Sequence, residues 1–306
     1  MKILLTGSTG FIGSHLKDSL SRTNIDVDYL VNRSKIVQGS INDNEIQCDL
    51  SDKDDLRNIK TKYDLVIHLA GFSKVTNHEF HESPHKKINL KGTINLIDRL
   101  ILNGTKKFIF LSTANLYNGD ERIFNESDKG IGSNSYEKSK LLCENYLEDN
   151  KNLIQSIVIR APLVYGKGAK SFFSKLKKLS SFSIPLPFKG FDEKRSYISL
   201  FNLTSLIVFF IEKDWENLEK FCLINCSDDD DMSIVKLLAL MKISQKKKPF
   251  IFKMKKSWMQ KVLNLIGMDK QYDFINTAHQ LDISKIKKIG WSPPYTVNES
   301  LSSLFK

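Results

Sequence analysis

Tyr136 and Lys140 stand four residues apart in a stretch, Ser135 to Asp149, that reads as a helix, so both side chains leave the same face. A phenol titrates near ~10 and moves protons poorly around neutrality, but an ammonium beside it stabilises the phenolate and brings the transfer towards the working range. The spacing predicts acid–base chemistry, with Tyr136 carrying the proton and Lys140 activating it. Lys140 is also placed to hold ribose hydroxyls. A third hydroxyl, Thr113, closes the apolar run Phe108-Ile109-Phe110-Leu111-Ser112, which reads as a strand. Open α/β sheets display reactive groups at the carboxyl ends of their strands, so Thr113 can donate to a substrate oxygen or to Tyr136.

What such a phenol would serve is written at the N-terminus. The apolar strand Lys2 to Thr6 runs into Gly7-Ser8-Thr9-Gly10-Phe11-Ile12-Gly13. Gly7 allows a tight turn, Gly10 lets the backbone approach a pyrophosphate, and Gly13 lets the first helix pack close to the sheet. The helix N-terminus adds N–H groups and partial positive charge for an anion. The pattern predicts a bound dinucleotide. The second strand ends in Val31-Asn32-Arg33-Ser34, without the acid that would bond an adenosine ribose in an NAD site. Arg33 can instead pair with a 2′-phosphate, so NADP(H) is expected over NAD(H).

The elements that must position these groups alternate. Strands are predicted at Lys2 to Thr6, Val27 to Val31, Asp64 to Leu69, Lys107 to Ser112 and Gln155 to Arg160, with helices at Ile12 to Ser21, His85 to Leu102 and Ser135 to Asp149. Nearly continuous apolar strands imply a parallel sheet covered on both faces. The expected class is α/β, a Rossmann-type doubly wound parallel sheet with a smaller α/β substrate-binding lobe. Residues 1–160 with about 195–227 form the dinucleotide-binding domain in this reading, and about 161–194 with 228–306 form the lobe.

The ordered motifs resemble the extended short-chain dehydrogenase/reductase family, particularly its nucleotide-sugar epimerases and reductases. The resemblance covers nearly the whole chain. It rests on the glycine turn, Val66-Ile67-His68-Leu69-Ala70-Gly71, Asn89-Leu90-Lys91-Gly92-Thr93, Leu111-Ser112-Thr113, Tyr136-Glu137-Lys138-Ser139-Lys140 and Arg160-Ala161-Pro162-Leu163-Val164-Tyr165-Gly166. It implies that Thr113, Tyr136 and Lys140 are the catalytic set. Gly7, Thr9, Gly10, Phe11, Ile12, Gly13, Arg33, Asp49, Leu50, Leu69, Ala70, Gly71, Asn89 and Pro162, with Tyr136 and Lys140, would bind the cofactor, Asp49 and Leu50 lying near adenine. Lys170, Phe173 and Arg195, with Thr113, would hold the substrate, Arg195 on the diphosphate of a nucleoside diphosphate-sugar.

Dehydratases of that family use an Asp-Glu pair immediately after the threonine, whereas Thr113 is followed here by Ala114-Asn115. Dehydration is thereby disfavoured, leaving one hydride transfer or two. The Pro162-Leu163-Val164-Tyr165-Gly166-x-Gly168 run, the 306-residue length and the Leu186-Pro187 segment resemble bacterial UDP-4-keto-6-deoxy-N-acetylhexosamine reductases, which implies reduction of such a sugar at C4, in bacterial surface-polysaccharide biosynthesis. The alternative is a UDP-glucose or UDP-N-acetylglucosamine 4-epimerase, and a noncatalytic nucleotide-sensing protein is a more remote one. The resemblance also implies a homodimer.

Composition narrows the surroundings. An apolar content of 41% over 306 residues excludes a disordered chain. The net charge of +11 comes with no nucleic-acid recognition motif, and nucleic acid is not an expected partner. Ten lysines and one acid fall between Lys236 and Lys270, reading as a solvated basic face with an anionic membrane surface as the competing reading. Cys48, Cys143, Cys222 and Cys226 form neither a disulfide framework nor a zinc pattern, and Asp228 to Asp231 read as a solvated turn, not a metal site. No leader or spanning segment is evident, so the expected location is the cytoplasm.

Overall fold

The computed structural model describes residues 1–32, 44–74, 79–118, 123–169, 172–265 and 272–305. Its strands are β1 Lys2–Thr6, β2 Asp26–Val31, β3 Glu45–Gln47, β4 Leu65–His68, β5 Lys107–Thr113, β6 Ile123–Phe124, β7 Gln155–Ala161, β8 Leu163–Tyr165, β9 Leu186–Lys189, β10 Tyr197–Ser199, β11 Phe221–Asn225, β12 Ile251–Lys253 and β13 Gln280–Leu281. The helices used below are α1 Phe11–Leu20, α2 Gly92–Leu102, α3 Ser135–Asp149, α4 Phe172–Ser181, α5 Leu200–Glu212, α6 Ile234–Ser244 and α7 Lys256–Leu265.

Two compact units emerge. The first comprises Met1–Gly119, Glu126–Ala161 and Ile207–Asn225. It carries a seven-stranded parallel sheet in the order β11-β7-β5-β4-β1-β2-β3. The chain walks outwards from β1 through β2 to β3 and then returns to β4 on the other side of β1. That reversal opens a crevice beyond the carboxyl end of β1, where ligands bind in doubly wound sheets. Leu4, Val66, Phe108, Phe110 and Val158 from the strands pack with Leu96, Ile97 and Leu100 of α2 and Cys143 and Leu147 of α3. Burial on both faces is why the strand sequences are continuously apolar.

The second unit comprises Asp120–Asn125, Pro162–Leu206 and Cys226–Lys306. Its core gathers Phe172, Phe173 and Leu176 of α4 with Phe188, Phe191, Leu237, Leu238 and Met241. Three short parallel ribbons, β8 with β10, β9 with β12 and β6 with β13, replace a large sheet. The expected return to the main sheet near residue 195 occurs later, because β10 pairs with β8 through Tyr197↔Leu163 to Ser199↔Tyr165. The acidic run also differs from the expected solvated turn. Asp229 and Asp230 do meet solvent-facing lysines, Lys287 and Lys236. Asp228 is buried and accepts from Tyr165 Oη at 2.6 Å, Asn202 Nδ2 at 2.6 Å and the Ser199 amide at 2.9 Å. All four cysteines are buried thiols.

Candidate active site

The glycine turn is built by close backbone approach. Gly7 has φ +76°, and a Cβ there would lie 2.6 Å from the Ala70 amide nitrogen. One on Gly13 would lie 2.1 Å from the Gly7 carbonyl oxygen. Only glycine fits at either place. The Gly10 amide donates to that Gly7 carbonyl at 2.9 Å, and Gly10 is the N-cap of α1 with no side chain closing the helix end. The first-turn amides are therefore left for an anionic ligand, as a pyrophosphate requires. Phe11 and Ile12 open α1, half-buried. Beside the turn lies a 360 Å³ cavity lined among others by Gly7, Thr9, Asn32, Asp49, Leu50, Ala70 and Gly71. These residues fit a dinucleotide. Arg33 lies outside the described residues. Asp49 holds its own turn, accepting from the Ser51 amide at 2.9 Å and Ser51 Oγ at 2.8 Å.

The expected catalytic set, Thr113, Tyr136 and Lys140, stands in the same unit. Asn134 caps α3 by accepting from the Glu137 amide at 3.0 Å, while Glu137 accepts from the Ser133 amide at 2.9 Å. This places Tyr136 in the first turn and Lys140 one turn on. Lys140 Nζ donates to the Leu111 carbonyl at 2.7 Å and sits 4.5 Å over the Phe110 ring, which ties the lysine to the end of β5. A Cβ on Gly71 would stand 3.8 Å from that Nζ, so the cavity wall and the lysine are neighbours. Thr113 ends β5 and accepts from the Asn115 amide at 3.2 Å, leaving its hydroxyl proton to donate elsewhere.

The electrostatics depart from the sequence expectation. Burial, reinforced by Glu137, pushes the Tyr136 phenol up to about 12, and burial pulls Lys140 down to about 8. Among the described residues no hydrogen bond joins Tyr136 to Lys140 or Thr113. Desolvation, which disfavours both charged forms, outweighs the attraction across one helical turn. Tyr136 thus rests as a neutral phenol, an acid in waiting.

Two support networks surround these groups, one built on Asn89 and one on His68. Chain 85–91 is a π-helical turn before α2, and it aims Asn89 at both sides of the site. Asn89 Oδ1 accepts from the Phe72 amide at 2.7 Å, and its Nδ2 donates to the Phe72 carbonyl at 3.0 Å and Ser139 Oγ at 3.2 Å. His85 from that turn sets its ring edge against Tyr136 at 5.9 Å and tilts against Phe72 at 5.3 Å. Beneath the glycine turn, His68 bridges Thr6 at 2.7 Å and Thr93 at 2.8 Å, held neutral as burial pushes it down to about 3. Thr6 Oγ1 also accepts from the Ala70 amide at 3.2 Å, so this chain fixes the Leu69–Gly71 wall.

In the second unit, Phe173 is a core residue packed 5.5 Å from Tyr165, and Pro162 is buried at the unit's start. Lys170 lies outside the described residues. Arg195 is buried 4.0 Å over the Phe274 ring, and its Nη1 donates to the Thr277 carbonyl at 2.8 Å.

The sequence model of the NAD dependent epimerase/dehydratase family matches residues 3–217, from β1 through α5. The chain belongs to that family. Across 315 residues it is 31% identical to a UDP-glucose 4-epimerase of Vibrio cholerae, covering 97% of this chain and 92% of that one. Its fold matches a UDP-glucose 4-epimerase of Thermotoga maritima solved with UDP-glucose, with TM-score 0.76, 23% identity and coverage of 100% and 97%. A Thermus thermophilus UDP-glucose 4-epimerase in complex with NAD gives TM-score 0.75 at 18% identity, covering 100% and 98%. This member of the family is an NAD(P)-dependent enzyme.

Proposed function

We propose that the enzyme is a UDP-sugar 4-epimerase acting on UDP-glucose or UDP-N-acetylglucosamine. The observation that carries this reading is the near full-length alignment with the Vibrio cholerae epimerase. It favours the 4-epimerase over the one-way 4-ketoreductase expected from the sequence. The nicotinamide, when bound, supplies reversible hydride acceptance. Tyr136 takes the proton of the sugar 4-hydroxyl in one direction and returns it in the other. Because the phenol rests neutral, it first releases its own proton to solvent. The phenolate that takes the sugar proton is stabilised by the Lys140 ammonium one turn away, more strongly as water is excluded, and the phenol so re-formed gives the proton back. Thr113 donates to the sugar oxygen. Arg195, a buried guanidinium without a carboxylate partner among the described residues, takes the diphosphate.

Purified enzyme given UDP-glucose or UDP-N-acetylglucosamine should interconvert it with the 4-epimer, with no net change in reduced nicotinamide. Tyr136→Phe should lower turnover by ~10²–10⁴-fold. Stoichiometric NADPH oxidation with a UDP-4-keto sugar, and no interconversion, would restore the ketoreductase. Preference for NADP over NAD rests on Arg33 and the missing acid after β2. Titration of cofactor-stripped protein decides it, and an NAD preference unchanged in Arg33→Ala would remove that role. The proposal includes a cytoplasmic homodimer. A light-scattering mass near 35.1 kDa at micromolar concentration would overturn the dimer.

A further inference from the structure

The lysine-rich segment takes no part in the chemistry above, yet the second unit joins it to a loop with exposed apolar side chains. The loop before β9 is stitched to it: Lys242 Nζ donates to the Phe182 carbonyl at 2.6 Å and the Ile184 carbonyl at 3.2 Å, and the Leu186 amide donates to the Phe250 carbonyl at 2.9 Å. The β9–β12 ribbon then continues the seam. Phe182, Ile184, Phe250 and Phe252 are exposed along it, and Trp258 and Leu265 are exposed on α7. Those two are seven residues apart, which puts them on one side of the helix. Leu265 is 87% exposed.

The charges on this surface also lack partners. Lys189 and Lys253 oppose each other in the β9–β12 register, an arrangement that like charges disfavour. Lys246 holds a left-handed φ of +58° just past α6, where glycine would sit without strain. Among the described residues no carboxylate pairs with Lys189, Lys246, Lys248, Lys253 or Lys255. Several ammonium groups kept together without acids, and interleaved with exposed rings and aliphatic chains, match a surface that is both negative and apolar.

We propose that this face docks the protein on an anionic phospholipid bilayer, the lysines meeting the headgroups and Trp258, Leu265 and Phe250 entering the acyl boundary. Two features select lipid over other anions. Exposed Leu265 and Ile184 gain nothing from stacking on bases, and the segment from 236 to 270 has no arginine, the residue suited to base and phosphate forks. A second copy meeting the same face across a two-fold axis would bring the two lysine sets together, which repels. The inference does not depend on which nucleotide sugar the enzyme acts on.

The three tryptophans make a direct test. Trp215 and Trp291 are buried at 1% and 4% exposure while Trp258 is 60% exposed, so fluorescence reports on this face. Full-length protein is mixed with phosphatidylcholine vesicles with or without about one third phosphatidylserine. The expected result is co-sedimentation and a blue shift with the anionic vesicles only, weakened by salt. Replacing Lys189, Lys246, Lys248, Lys253 and Lys255 by Gln should reduce the anionic-vesicle partition by at least about tenfold, since each basic residue near such a surface adds several-fold. Circular dichroism and dinucleotide binding of that variant should match the parent, which separates lost docking from lost folding. Trp258→Ser should weaken partition while keeping its salt dependence. Equal partition onto neutral and anionic vesicles, or no partition onto either, overturns the proposal. So does tighter retention on single-stranded RNA than on vesicles, or a halved solution mass for the lysine variant.

Discussion

Arg160 in the first unit and Arg195 in the second are both buried guanidiniums, and the chain treats them in opposite ways. Arg160 leaves β7 to meet Glu144 of α3, with Nη2 donating at 2.6 Å and Nε donating to both carboxylate oxygens at 3.2 Å. Ser112 donates to the same carboxylate, and the guanidinium stacks 4.7 Å over Tyr117. Glu144 holds Arg160 above its ordinary value although burial pulls the other way. Arg195 has one carbonyl and one aromatic ring, and burial pulls it down to about 10. A paired charge beneath the strand that ends in Thr113 is framework. A desolvated cation with donors to spare is the group we propose for the anion of the substrate.

The sharpest way to break this contrast is to remove one side of the paired charge. Glu144→Gln should destabilise the protein by about 3–5 kcal/mol in chemical denaturation, because Arg160 is left buried and uncompensated. Arg195→Met should be nearly neutral for stability and should instead weaken UDP-sugar binding. Charge-assisted hydrogen bonds are worth about 1.5–3 kcal/mol, so KM should rise on the order of tenfold to a hundredfold with kcat little changed. If Arg195→Met unfolds the protein while Glu144→Gln does not, the assignment is reversed.

How much of this was legible in the sequence follows the range of the interactions. Local rules carried Gly7, Gly10 and Gly13, whose spacing encodes a turn, and the strands of the main sheet, whose apolar runs encode double-sided burial. The Tyr136–Lys140 face was readable because four residues make one helical turn. Non-local pairs were not readable. Ser112, Glu144 and Arg160 are separated by up to 48 positions, and His68 meets Thr6 from 62 residues away. Local pattern also misplaced β10, an apolar strand whose partner is β8 instead of the main sheet, and it read Asp228 as solvated when distant Tyr165 and Asn202 draw it inside. The phenol's pKa was missed for the same reason. Helical spacing reveals the neighbouring ammonium, and only the fold reveals how much water is absent.

That absence of water has a measurable sign. Lys140 has its folded pKa pulled from 10.5 to about 8, so between those values the unfolded chain holds a proton that the folded chain lacks. Stability of the cofactor-free protein should therefore rise with pH across that window, by as much as about 1 kcal/mol per unit from this group alone. Below about pH 8 both states are protonated and the contribution is flat. Lys140→Met should abolish the rise while leaving the denaturation midpoint near neutrality equal or higher. An unchanged slope in that variant would mean that Lys140 is solvated, and the comparison between satisfied and waiting charges would lose its first-unit example of a desolvated cation.

The smallest expected effect concerns His85, and it tests where the acid–base set ends. The imidazole lies edge-on to Tyr136 and against Phe72, donates through Nε2 to the Lys74 carbonyl at 3.1 Å, and has a buried Nδ1 with no partner among the described residues. With Nε2 carrying the proton, Nδ1 is an acceptor, and burial pulls the ring's pKa down, so it is neutral at physiological pH. Nothing in this geometry requires proton transfer, because no hydrogen bond connects His85 to the phenol. Its effect on Tyr136 is steric and quadrupolar, a ring that keeps the phenol's tilt, worth about 0.5–1.5 kcal/mol. His85→Phe retains that ring and removes the orphaned acceptor, and should change kcat by less than about threefold with no shift in the pH profile. His85→Ala removes the ring and should lower kcat by about tenfold at most. A loss near that of Tyr136→Phe, together with a displaced pH profile, would bring His85 into the proton path and extend the reacting set beyond Thr113, Tyr136 and Lys140.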